Sequence, residues 1–322
     1  MEALSFDDVL LVPQRSAVWS RSDIDLESYV TKEIEVKFPI ISANMPSVTG
    51  PIMAQRIWEL GGFGILHRFN SISEAVADYT AVKLQDAEAG VSLGVGEETS
   101  LRVKQLFKYG ARIFCIDVAH GHHDRVITLI HDLRNTYGND IEIIAGNVAT
   151  DTACFDLAEA GADAIKIGIG PGAACTTREV TGFGIPQVSA ISNCATVKGD
   201  FPDLRLIADG GIKNSGDIVK ALVFGADTVM LGRLLAGAEE TPYPGEYFGN
   251  ASARLRDYHA PEGISGVVDI EGPLENIIKN LTWGIKSGLS YAGATTIFDL
   301  HANAIEFVIT TPQSTNETRT RI

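Results

Sequence analysis

The chain has 322 residues, 45% hydrophobic and 21% charged, with a formal net charge of −15. That length supports one large domain or two small ones with a substantial core, and the acidic balance argues against nucleic acid or an anionic membrane as the main partner. Four cysteines without regular spacing fit reduced thiols, no apolar run approaches the ~20 residues of a membrane span, and Met1 to Asp8 lacks the basic-then-apolar order of a signal peptide, so a cytoplasmic protein is expected.

Taken in order, the chain alternates short apolar runs with amphipathic segments. The strand candidates are residues 39–42, 64–66, 91–93, 113–117, 141–146, 164–167, 205–208 and 228–231. Helical patterns between them include residues 73–84, 101–109, 124–137, 151–160 and 215–224. Strand and helix in alternation imply a parallel sheet, and eight such units imply an α/β fold of the closed (β/α)8 TIM-barrel type. The open doubly wound alternative lacks a G-x-G-x-x-G between a first strand and a helix. One barrel over residues 1–312, with a polar and disordered tail at 313–322, is the expected organisation.

In such a barrel, chemistry sits on the loops leaving the C-terminal strand ends. The first of these loops carry Ala43-Asn44-Met45-Pro46-Ser47 and His67-Arg68-Phe69. Later ones carry Asp117 to His123, Gly146-Asn147-Val148, Asp209-Gly210-Gly211 and Gly232-Arg233. Asp209 to Gly211 and Gly232-Arg233 leave adjacent strands, where glycine N–H groups can hold a phosphate. His120, His122 and His123 are not fixed on a helix face as in H-E-x-x-H, so no metal is expected there.

The stretch with the most chemistry runs from Lys166 to Gly184, K-I-G-I-G-P-G-A-A-C-T-T-R-E-V-T-G-F-G. Gly168, Gly170 and Gly172 let the backbone approach a ligand closely, and successive N–H groups can bind an anion. Cys175, flanked by Thr176, Thr177 and Arg178, has the surroundings of a nucleophile. Cys154 and Cys194 fall within helical patterns and read as packing residues.

G-I-G-P-G-x-x-C-T-T-R resembles the catalytic cysteine loop of the IMP dehydrogenase and GMP reductase family, and F-D-D-V-L-L-V-P at residues 6–13 resembles its opening segment. The resemblance implies a nucleophilic Cys175 with Thr177 and Glu262 as a proton relay. It implies a purine nucleotide, GMP or IMP, held by Asp209 at the ribose and by Gly172, Gly211, Gly232 and Arg233 at the phosphate, beneath Tyr247. Ser42, Met45, Asn250, Ala251 and Gly263 complete the implied substrate site. Asp117, Ala119, His120, Gly121 and Asn147 are implied beside a nicotinamide cofactor. A monovalent cation such as K+ on Gly168, Gly170 and Cys175, and a homotetramer, also follow from the resemblance. The family usually has serine where this chain has Ala173, so Arg233 is expected to carry more of the phosphate.

Two branches differ in outcome. The reductases deaminate GMP and reduce the adduct with NADPH; the dehydrogenases oxidise IMP to XMP with NAD. Asn44-Met45 and His67-Arg68-Phe69 are similar to the reductases. The dehydrogenases usually carry a long flap, with an adjacent Arg-Tyr pair, between the base-binding segment and the Glu-Gly segment. Here only residues 253–260 separate Ser252 from Pro261, and Arg256 and Tyr258 are not adjacent. Many dehydrogenases also insert CBS motifs where this chain has one helix between Phe69 and Val91. An NADPH-dependent reductase is therefore expected. A dehydrogenase without CBS motifs and a catalytically silent nucleotide binder are the alternatives.

Overall fold

The computed structural model describes residues 3–255 and 261–311. Eight parallel strands close into a barrel: β1 (Ile40–Ser42), β2 (Phe63–Leu66), β3 (Gly90–Leu93), β4 (Ile113–Asp117), β5 (Glu142–Val148), β6 (Ala164–Ile167), β7 (Arg205–Asp209) and β8 (Thr228–Leu231). β8 pairs with β1, Val229 opposite Ile40, and this closes the ring. The expected (β/α)8 barrel is the fold. β5 departs furthest from its expected bounds, running past Gly146 to Val148 with a register shift against β6. Such a bulge re-aims the extra residue, here Asn147.

Helices α1 (Pro51–Leu60), α2 (Ile72–Lys83), α3 (Thr99–Lys108), α4 (Asp124–Tyr137), α5 (Asp151–Glu159), α6 (Gln187–Ala195), α7 (Ser215–Val223) and α8 (Leu274–Tyr291) surround the strands. Their ends follow local chemistry. Ser71 and Glu74 form a capping box at α2, with Ser71 N donating to Glu74 Oε2 at 2.8 Å and Glu74 N donating to Ser71 Oγ at 3.2 Å. α1 starts with Pro51 and stops at a left-handed Gly61. Between Phe69 and β3 the only helix or strand is α2.

Strand periodicity sorts side chains into two cores. Ile41, Ile65, Ile113, Cys115, Ile144 and Ile207 fill the barrel interior. Their sequence neighbours, such as Phe114, Ile116, Ile143 and Leu206, pack outward against the helices. Each such side chain contributes about 1.5–3 kcal/mol by leaving water. One inward step further along three strands, the interior turns ionic: Asp117 follows Cys115, Lys166 follows Ala164, and Asp209 follows Ile207. Above that layer the barrel opens. Glu246–Phe248 pairs with Ser265–Val267 at the rim, and Val9–Leu11 pairs with Phe307–Ile309. No helix among the described residues is long and apolar enough to cross a membrane. The expected tail at 313–322 lies outside the described residues.

Candidate active site

A cavity of about 910 Å³ opens at the C-terminal strand ends, in the size range of small-molecule sites. Its central wall is the loop after β6. The chain turns at Gly168, φ +149°, where a Cβ would overlap the Asp209 carbonyl oxygen; glycine alone permits that approach. The loop then docks on a distant segment. Thr176 N donates to Glu262 O at 2.9 Å and Ile264 N to Ala174 O at 3.0 Å. Gly263 is bridged both to Cys175 and to Ser252.

This docking brings three side chains into line. The Cys175 thiol donates to Thr177 Oγ1 at 3.1 Å, and that hydroxyl donates to Glu262 Oε2 at 2.7 Å. A proton can pass from sulfur to carboxylate along the two hydrogen bonds, which is the arrangement an activated nucleophile requires. Thr177, first residue of the short helix Thr177–Thr181, is buried, while Cys175 is half-buried and lines the cavity.

Beneath the cavity, Lys166 Nζ lies 3.1 Å from Asp117 Oδ1, 2.6 Å from Asn147 Oδ1 and 2.8 Å from Asp209 Oδ2. Asn147 Nδ2 donates at 2.9 Å to both Gly168 O and Asp209 Oδ2. Burial opposes charge on Asp117, but the Lys166 ammonium, with Arg68 beyond it, outweighs burial and holds the carboxyl below its usual range. Burial alone would lower the Lys166 pKa; Asp209 and then Asp117 drive it well above the ordinary lysine value instead. Both Lys166 and Asp117 are therefore ionised at neutral pH.

The two ends of the cavity differ. At one, Gly210 and Gly211 take positive φ, +90° and +80°. A Cβ on Gly232 would come within 2.8 Å of Tyr247 Oη and 3.2 Å of Met45 Sδ, so glycine keeps that wall close. Arg233 is exposed at the same end, and both it and Ala173 line the cavity. Burial pushes the Tyr247 phenol above its usual pKa, which leaves it a neutral donor. At the other end Arg68 stacks over Phe69, 4.7 Å from the ring centroid, and donates through Nε to Asp117 O at 3.1 Å.

Of the site residues that the family resemblance implies, three do not line the cavity. Ser42 is fully buried and accepts from Thr49 Oγ1 at 2.9 Å; Ala43, Asn44 and Met45 form the wall at that strand end. Gly121 packs on the backbone of Asn147, donating to its carbonyl at 2.7 Å. His120 points to solvent beside His122, whose Nε2 lies 2.7 Å from Asp156 Oδ2. The others, from Cys175 and Glu262 to Asp117 and Ala251, share the one cavity. Sequence reasoning missed Lys166 as a site residue. Its signal was a charged residue at an inward position of an otherwise apolar strand.

A family model described as the IMP dehydrogenase / GMP reductase domain matches residues 3–321. An inosine-5'-monophosphate dehydrogenase of Borreliella burgdorferi is 36% identical over 94% of this chain and 93% of its own length. One from Cryptosporidium parvum is 33% identical over 96% and 93%. A GMP reductase of Leishmania donovani is 30% identical over 94% of each chain. These alignments run over 378, 377 and 461 positions against 322 residues, so each relative has internal stretches without a counterpart here.

Proposed function

This chain belongs to the IMP dehydrogenase / GMP reductase family, and from that premise we propose that it is a GMP reductase, converting GMP to IMP and ammonia with NADPH through a covalent Cys175–purine adduct. The observation that carries the choice is the bridge between Ser252 and Gly263. Gly263 is itself paired to Cys175, so the link that starts at Ser252 ends against the nucleophile, and only residues 253–262 form it. A link that short disfavours a long mobile flap that would bring water to the adduct. Arg256 and Tyr258 lie outside the described residues.

The chemistry follows from the relay. The thiol proton passes through Thr177 to Glu262, and the thiolate adds to C2 of the guanine ring. Glu262 returns the proton through Thr177 to the departing amine. Addition and loss of ammonia together consume the one proton that sulfur released, leaving a thioimidate on Cys175. When bound beside Asp117, NADPH supplies the hydride that reduces C2. IMP then departs with cleavage of the C–S bond, and the thiolate regains a proton from solvent.

The cavity suits both ligands. Asp209 offers a carboxylate to ribose hydroxyls, and Gly211, Gly232 and Arg233 surround the phosphate, with no hydroxyl at Ala173 to share the charge. Asp117 offers a second carboxylate, and the Arg68–Phe69 stack gives a flat wall for a nicotinamide ring. A potassium-like ion on the carbonyls of Gly168, Gly170 and Cys175 belongs to the same proposal, since carbonyl oxygens suit hard cations; the Gly168 carbonyl also accepts from Asn147. A homotetramer belongs to the same proposal.

A second reading, IMP dehydrogenase, is favoured by the identities to relatives so named, 36% and 33% against 30% for the reductase. Absorbance of the reduced nicotinamide decides between them. Loss of signal with GMP and NADPH supports the proposal. A gain with IMP and NAD, with no loss under the first conditions, replaces it by the second reading.

A further inference from the structure

Lys166 looks in sequence like one more residue of a buried strand, yet it is the most enclosed charge at the site, with its side chain 1% exposed. An ammonium has three N–H donors, and Asp117, Asn147 and Asp209 accept all three. No donor remains for a ligand, so Lys166 acts only through these neighbours. They belong to different halves of the site. Asp209 sits at the glycine end of the cavity with Gly210 and Gly211; Asp117 sits at the Arg68 end. Each carboxylate spends one oxygen on Lys166. The other Asp117 oxygen, Oδ2, has the Arg68 guanidinium 4.0 Å away. Asp209 keeps Oδ1 for the cavity, and its side chain is 22% exposed.

One cation divided between two carboxylates cannot satisfy both fully. Whatever changes the demand of one carboxylate changes the hold of Lys166 on the other. The low-dielectric setting makes that exchange strong, because buried charges are poorly screened. Asn147 stiffens the link: its Oδ1 accepts from Lys166 and its Nδ2 donates to Asp209.

We propose that Lys166 is a positioning residue that couples the nucleotide half of the site to the cofactor half. The affinity for purine nucleotide then depends on Asp117 even when no cofactor is bound. This rests on the reading in which Asp209 accepts the nucleotide ribose and Asp117 faces the cofactor. Remove the charge of Asp117, and Lys166 shifts its whole attraction to Asp209. That carboxylate becomes a poorer acceptor for ribose hydroxyls.

The test is a double-mutant cycle read by calorimetric titration with GMP and with IMP, without cofactor. Asp117→Asn is nearly isosteric and should weaken nucleotide binding at least fivefold, the lower end of ordinary coupling between sites. In a Lys166→Met background the same Asp117→Asn change should cause no weakening, because the shared cation is gone. A smaller effect of Asp117→Asn in the wild-type background overturns the proposal, and so does weakening that persists equally without Lys166. Where Lys166→Met does not fold, as judged by its thermal transition, Asp117→Asn alone decides by the fivefold criterion. Failure of the unmutated chain to bind either nucleotide overturns the reading of the site as well. Binding that is indifferent to Asp117 overturns the coupling alone.

Discussion

Replacing Glu262 with glutamine keeps the size of the side chain and an oxygen that can accept from Thr177, but removes the group that stores a proton. In the structure that proton has a direct route, Cys175 to Thr177 at 3.1 Å and Thr177 to Glu262 at 2.7 Å. Its two uses differ in cost. Thiol deprotonation can equilibrate with solvent before the nucleotide closes the site, since Cys175 is only half-buried. Ammonia departure requires an acid in place during the bond cleavage itself. A positioned acid–base group is worth about 10²–10⁴ in rate, or about 2.7–5.5 kcal/mol of barrier. GMP reduction by Glu262→Gln should fall by that factor. The reverse half-reaction, IMP plus oxidised cofactor giving the covalent adduct, releases no amine and should fall less than about tenfold, below the range for a lost acid–base group. Rapid mixing with IMP and NADP, followed through the burst of reduced nicotinamide, measures the second step directly. Equal losses in both directions would mean that Glu262 only braces the backbone around Gly263, and the relay would have to be withdrawn.

Cys175→Ala should bind GMP within a few-fold of the unmutated chain and show no turnover; catalysis above a trace in the purified variant rules out the covalent route. Arg233→Ala should raise the Michaelis constant for the nucleotide roughly ten- to a hundredfold, the worth of a charged hydrogen bond, because Ala173 has no hydroxyl to share the phosphate; an unchanged constant places Arg233 outside the phosphate site. Glu142 tests the barrel floor by pH. Burial, and then Asp163, push its pKa up to about 7, and Oε2 is buried without a hydrogen-bond partner. A carboxyl with a raised folded-state pKa binds protons more readily folded than unfolded, so its contribution is present below the unfolded value near 4.5 and is lost as pH rises through about 7. Glu142→Gln should therefore stabilise the protein at pH 8 by about 1–3 kcal/mol and change little at pH 4, read as the shift in thermal midpoint; an equal shift at both pH values refutes the ionisation argument.

Much of this was legible in the sequence, for identifiable reasons. The barrel could be read because apolar runs bounded by turn chemistry recur along the chain, and parallel closure is the ordinary solution for eight strand–helix units. Residues on the glycine loops could be placed because glycine there answers a local backbone demand, as Gly168 against the Asp209 carbonyl does. Glu262 is different. A lone glutamate in a loop carries no local signal, and it was found only through the family resemblance; its 2.7 Å contact with Thr177 depends on a segment 85 positions away docking on the cysteine loop. His120, also named through the resemblance, differs again, since residues near one another in sequence leave a strand end in different directions, and Asp117 points inward where His120 meets solvent.

Lys166 was hidden by the strength of its strand signal. Ala164, Ile165 and Ile167 identify the strand so clearly that the lysine reads as a tolerated exception. Alternation argues otherwise. If Ile165 and Ile167 pack outward against helices, Lys166 must enter the barrel, where a lone ammonium would cost several kcal/mol of desolvation. Two carboxylates at the matching height of β4 and β7, Asp117 and Asp209, offset that cost. The same two carboxylates line the cavity where the ligands of the proposed reaction would meet. A buried cation that stabilises the barrel and a shared counter-ion that links two halves of a site are thus one arrangement. Its disruption should be visible in ligand affinity as well as in stability, and a purely structural lysine would alter stability alone.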